Sequence, residues 1–77
     1  MKFSTAAMGR AIRALRQERQ LSQEVLSGLA GIARTHLSMI EKGDKQVTFK
    51  TLWKLADALD MRPSQLVERI EQECRDQ

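Results

Sequence analysis

Apolar residues along the 77-residue chain recur every three or four positions, and none of the runs alternates as a strand would. The spacing predicts a first helix from about Thr5 to Arg19, with Met8, Ala11, Ile12, Leu15 and Arg16 on one face. A second is expected to start at Ser22, whose hydroxyl suits an N-cap, with Glu24 in the electropositive first turn. It carries Val25, Leu26, Leu29 and Ala30 and stops at Gly31. A third, from about Ala33 to Glu41, is expected to bury Ala33, Leu37 and Ile40 and to end at Lys42-Gly43. After the polar loop Asp44–Val47, Thr48 caps a fourth helix with Phe49, Leu52, Leu55, Ala56 and Leu59 as its apolar stripe. Pro63 suits the first position of a fifth helix, with Leu66, Val67 and Ile70 apolar, fraying into a polar tail over residues 71–77. The pattern predicts an all-α bundle of five short helices, one domain over residues 1–77 with its core at about 8–70.

Charge adds a direction to this bundle. The net +3 divides into +6 over residues 1–54 (ten Lys/Arg, four Asp/Glu) and −3 over residues 55–77 (three Lys/Arg, six Asp/Glu). A basic front and an acidic back suit a protein that meets a polyanion on one side. No apolar run approaches the roughly 18 residues of a membrane span, and the N-terminus lacks a signal-peptide pattern, so a cytoplasmic, membrane-free protein is expected. One cysteine, Cys74, and one histidine, His36, leave no intrachain disulfide and no intrachain Cys/His zinc site. Cys74, in the polar tail, is expected to be an inert surface thiol. Paired carboxylates and glycine-rich phosphate loops are missing as well, so neither a cofactor nor an enzymatic activity is expected.

The informative stretch is Leu21–Gly43, LSQEVLSGLAGIARTHLSMIEKG. Two short helices flank Ala30-Gly31-Ile32, where glycine supplies the positive φ of a sharp corner. With Ala30, Ile32, Leu37 and Ile40 locking the pair, the third helix must turn Arg34, Thr35, Ser38, Met39 and Lys42 outward. Such a helix suits the DNA major groove, whose base edges offer acceptors to Arg, partners to Ser and Thr hydroxyls, and thymine methyls to Met.

This stretch resembles the helix-turn-helix of the phage repressor and Cro (XRE-type) family. The resemblance rests on Leu21-Ser22-Gln23-Glu24, Leu26, Ala30-Gly31-Ile32, Leu37-Ser38 and Ile40-Glu41-Lys42-Gly43. It continues through Thr51-Leu52, Lys54-Leu55-Ala56 and Ala58-Leu59, covering about residues 8–70. It implies a five-helix lambda-repressor-like fold and double-stranded DNA as partner, with Arg34, Thr35, Ser38 and Met39 against base edges. Ser22, Gln23, Lys42 and Lys45 are then expected at phosphates, with His36 at a phosphate or at the margin of the helix pair. Arg16 and Glu41 match a structural salt bridge of the family. Gln20 stands where glycine is usual, Val25 replaces the acid of a capping box, Ala33 replaces a capping Ser or Thr, and Gly28 sits inside the second helix.

A module this small reads DNA best as a homodimer on two half-sites. Trp53, Met61, Leu66, Val67 and Ile70, in the C-terminal half, are the candidate dimer interface. Restriction–modification controller proteins and prophage repressors are similar in architecture. The function expected is a dimeric transcription regulator on an inverted-repeat operator. The alternative is an antitoxin that neutralises a partner protein and autoregulates its own promoter.

Overall fold

The computed structural model describes residues 1–76. Within them lie five helices, α1 (Thr5–Glu18), α2 (Gln23–Ala30), α3 (Arg34–Glu41), α4 (Phe49–Ala58) and α5 (Pro63–Arg75), and among the described residues there is no strand. Three starts have local causes: the hydroxyls of Ser4, Ser22 and Thr48 accept from the backbone N–H of Ala7, Val25 and Thr51. Ala33 cannot do this, and α3 begins without a side-chain cap. At α5, Pro63 occupies the first turn and the Gln65 side chain accepts from the Arg62 N–H.

Four helices end the same way, by a residue with left-handed backbone that turns the chain back on the last carbonyls. Gly31 (φ 70°) and Gly43 (φ 82°) do so at no steric cost. Gln20 and Asp60, both at φ 57°, do so with a side chain in place. The closing bonds are alike, Leu21 N–H to the Arg16 carbonyl at 3.1 Å and Ile32 N–H to the Ser27 carbonyl at 3.0 Å. Gln20→Gly is therefore expected to raise stability by about 0.5–1 kcal/mol. A thermal melt checks this, and a lower midpoint than wild type refutes it.

One core joins all five helices: Ile12 and Leu15 of α1, Leu26 of α2, Leu37 and Ile40 of α3, Leu55 of α4, Leu66 of α5, and Leu59 just after α4 are fully buried. Gly9 lets α1 lie directly on the end of α3, since a Cβ there would sit 2.4 Å from the Ile40 carbonyl oxygen. Across the other side of α1, Arg10 pairs with Glu73 and Arg69 with Glu18. The Arg69 hydrogen bond holds the Glu18 carboxyl below its ordinary pKa, but both pairs face solvent and contribute little. One pair joins a base of the front to an acid of the back and the other an acid of the front to a base of the back, so together they leave the division of charge unchanged.

Packing corrects several positions read from periodicity. On α2 the inward face is Leu26, Ser27 and Ala30, so Val25 and Leu29 are exposed. Ala33 is exposed rather than buried, because it precedes the first turn of α3. Phe49 begins α4 on the solvent side, 79% exposed. The residues after Ile70 continue α5 as far as Arg75, and Cys74 is buried on its inner face, one turn beyond Ile70, instead of on the surface.

Candidate nucleic-acid interface

The corner between α2 and α3 rests on Gly31, and the two helices are held together through Leu26, Ala30, Leu37 and Ile40 with Ile32 packed against them. A second fastening comes from outside the pair. Arg16 grips Glu41 with two hydrogen bonds, Nε to Oε2 at 2.7 Å and Nη2 to Oε1 at 2.9 Å. Its remaining Nη1 donates to the Leu21 carbonyl at 2.8 Å, tying down the loop that leads into α2. The Arg16 and Glu41 side chains are 12% and 3% exposed. Hydrogen bonding to Glu41 raises the already high Arg16 pKa and outweighs the opposing effect of burial, so the guanidinium stays charged.

Gln23 connects this pair to the outward face of α3. Its Nε2 donates to Glu41 Oε1 at 3.1 Å, while its Oε1 lies 3.5 Å from Arg34 Nη1, at the outer limit of a hydrogen bond. Gln23 is thus fixed to both ends of α3, and one of its two amide hydrogens is left for an external acceptor. Ser22 accepts the Val25 N–H at 3.1 Å and keeps its own hydroxyl hydrogen to donate.

On α3 itself, Arg34 and Thr35 are exposed and Met39 is 39% exposed. Ser38 and His36 are half-buried, so Ser38 is the least accessible of the four candidate base readers. Lys42 and Lys45 are exposed at the far end. Residue-type reasoning passed over Arg13. It lies one turn before Arg16 on the same face of α1, and with Gln23, Ser38, Glu41 and Lys42 it lines a polar cleft. The signal was the i, i+3 spacing to a residue already read as facing α3.

The candidate dimer residues separate into two groups. Leu66 is fully buried and Ile70 nearly so; both belong to the core and have no surface to offer a partner. Trp53, 60% exposed, and Val67 are on the outside, and Met61 packs partly buried against the core. Phe49, one turn before Trp53 on α4, is exposed as well, and it lines an apolar groove together with Val67.

Comparison with known proteins places this arrangement. The control protein C.SmaI of Serratia marcescens is 36% identical over 58 residues, 75% of this chain and 69% of its own length. A longer regulator also matches, and of it the chain spans only 31%. Among solved structures, the restriction-modification controller protein C.AhdI from Aeromonas hydrophila superposes with a TM-score of 0.78 at 37% identity, covering 80% of this chain and 94% of that one. The controller protein C.Esp1396I, solved as a tetramer in complex with its natural 35 base-pair operator, gives a TM-score of 0.84 at 25% identity, covering 95% and 96%. The helix-turn-helix family HTH_3 matches residues 12–66, from the middle of α1 into α5. With its corner at Gly31 and its second helix propped by Arg16, Glu41 and Gln23, the chain belongs to the HTH_3 family of helix-turn-helix proteins.

Proposed function

We propose that this protein is a sequence-specific, double-stranded-DNA-binding transcriptional regulator of the cytoplasm, acting as a homodimer on an inverted-repeat operator. The observation that carries this is α3: a helix braced from behind by α2 and the Arg16–Glu41–Gln23 network, with Arg34, Thr35 and Met39 turned outward. Bracing matters because base readout depends on donors held in register with the groove floor. Arg34, Thr35, Ser38 and Met39 face the bases, and Ser22, Gln23, His36, Lys42 and Lys45 lie along the phosphates. The relative C.Esp1396I, bound to its operator as a tetramer, supports both the partner and its use by more than one copy. The second copy docks on Trp53, Val67 and Met61, extended by Phe49. The same two helices carry charges of opposite sign, Lys50 and Lys54 on α4 and Glu68 and Glu71 on α5, which two copies could pair.

Selecting bound fragments from random duplexes tests this directly. The expected result is a two-fold symmetric motif whose half-sites lie about 10 base pairs apart, or a multiple of that. Recovery of no motif overturns the function, and a motif without symmetry overturns the homodimer. On the selected site, Arg34→Ala is expected to cost about 1–3 kcal/mol of binding, while affinity for scrambled DNA changes little. Fluorescence anisotropy on the two duplexes checks it; equal losses remove Arg34 from the base readers.

A further inference from the structure

The structure assigns a binding role to Arg13, outside the helix-turn-helix: we propose that Arg13, Gln23 and Lys42 hold one phosphodiester of the DNA backbone in the cleft they line. The inference rests on the DNA-binding function above and adds α1 to the surface that holds the duplex. The cleft has a volume of about 240 Å³, room for a phosphate group and its waters. Its position follows from Gly9, which brings α1 onto the carbonyl end of α3 and so sets Arg13 across from Lys42, far away in sequence.

The chemistry left over in the cleft selects the ligand. Three cations, Arg13, Arg16 and Lys42, surround one carboxylate, Glu41. Arg16 is spent on Glu41 and the Leu21 carbonyl, and both Glu41 oxygens accept hydrogen bonds from Arg16, one of them also from Gln23. Among the described residues neither Arg13 nor Lys42 has an acid within ion-pair distance. What remains is the Arg13 guanidinium, the Lys42 ammonium and the second amide hydrogen of Gln23. These are donors, converging with a net charge of about +2, and they call for an anion with several acceptor oxygens. The α3 carbonyl end opposes an anion with roughly half a negative charge, which the two uncompensated cations outweigh.

Binding of wild type, Arg13→Gln and the Arg13→Gln/Lys42→Gln double variant is measured on the selected duplex and a scrambled one across a range of salt. Arg13→Gln is expected to weaken both duplexes by the same factor, roughly tenfold, and to make the salt dependence shallower. The double variant is expected to make the slope of log K against log salt about one unit less negative. The melting temperature stays put, because Arg13 is exposed and makes no ion pair among the described residues. A wild-type slope in Arg13→Gln, or a loss confined to the selected duplex, overturns the assignment while leaving the DNA-binding function standing. Inorganic phosphate is titrated in parallel and followed by the amide resonances of Gln23, Ser38 and Lys42. If phosphate moves them and duplex DNA does not, the cleft serves a free anion and the DNA assignment fails. If wild type binds neither duplex, the proposed function fails too.

Discussion

Gly9→Ala is expected to lower the melting temperature by roughly 12–24 °C, the equivalent of about 3 kcal/mol in a domain this size. The added methyl would sit 2.4 Å from the Ile40 carbonyl oxygen and 2.7 Å from that of Glu41. Both obstacles are backbone, so no rotamer change relieves the clash. Relief means moving α1 off α3, which loosens Ile12 and Leu15 against Leu37 and Ile40 and stretches the Arg16–Glu41 bonds. A chain of 77 residues has a total stability of only about 4–12 kcal/mol, so the loss is a large fraction of it. Gly28→Ala is the control. Its Cβ would meet nothing within 4 Å, and alanine in a helix interior gains about 0.5–1 kcal/mol over glycine. Circular dichroism melts of the two variants should therefore move in opposite directions. A Gly9→Ala protein melting within about 4 °C of wild type would show that α1 and α3 do not approach this closely.

Removing one partner of the buried ion pair has the other large effect. Glu41→Gln is expected to cost about 3–5 kcal/mol, measured by denaturant unfolding, because it leaves the Arg16 charge buried and uncompensated. The exposed Arg10–Glu73 and Arg69–Glu18 pairs set the contrast: solvent already screens them, and losing either changes stability little. The double replacement Arg16→Met/Glu41→Leu removes both charges and should recover much of the loss, since apolar side chains of similar volume suit the same space. Recovery stays incomplete, because the Leu21 carbonyl and the Gln23 amide lose their partners as well. A cost below about 1 kcal/mol for Glu41→Gln, the range of an exposed pair, would mean that water reaches the pair. DNA binding by the double variant, measured well below its melting temperature, should also fall, because leucine at position 41 offers the Gln23 amide no acceptor.

Much of this was legible before any coordinates, and for local reasons. A hydroxyl at Ser22 or Thr48 caps the residues immediately after it, a glycine at position 31 turns the chain where it stands, and Pro63 opens a helix. These are interactions within a few residues, and they are written in the order of the letters. The outward set Arg34, Thr35 and Met39 was legible on the same footing, because burying Leu37 and Ile40 leaves them on the other side of one short helix.

Where reading failed, the missing information was the neighbour. An apolar residue at helical spacing can line the core or face solvent, and on the eight-residue α2 the periodicity does not separate Val25 and Leu29, which are outside, from Ser27, which is inside. Leu66 looked available for a partner and Cys74 looked exposed, until α5 packed along α1 and enclosed both. Phe49 looked like core and begins α4 in solvent. Arg13 became a candidate for phosphate only when Gly9 allowed two backbones to touch and brought Lys42 opposite it. Helix number, limits, caps and corners follow from short-range sterics and hydrogen bonds, so the order of residues suffices for them. Which faces are covered, and which charges end up side by side, depends on contacts between residues far apart in the chain, and those exist only once the helices have packed.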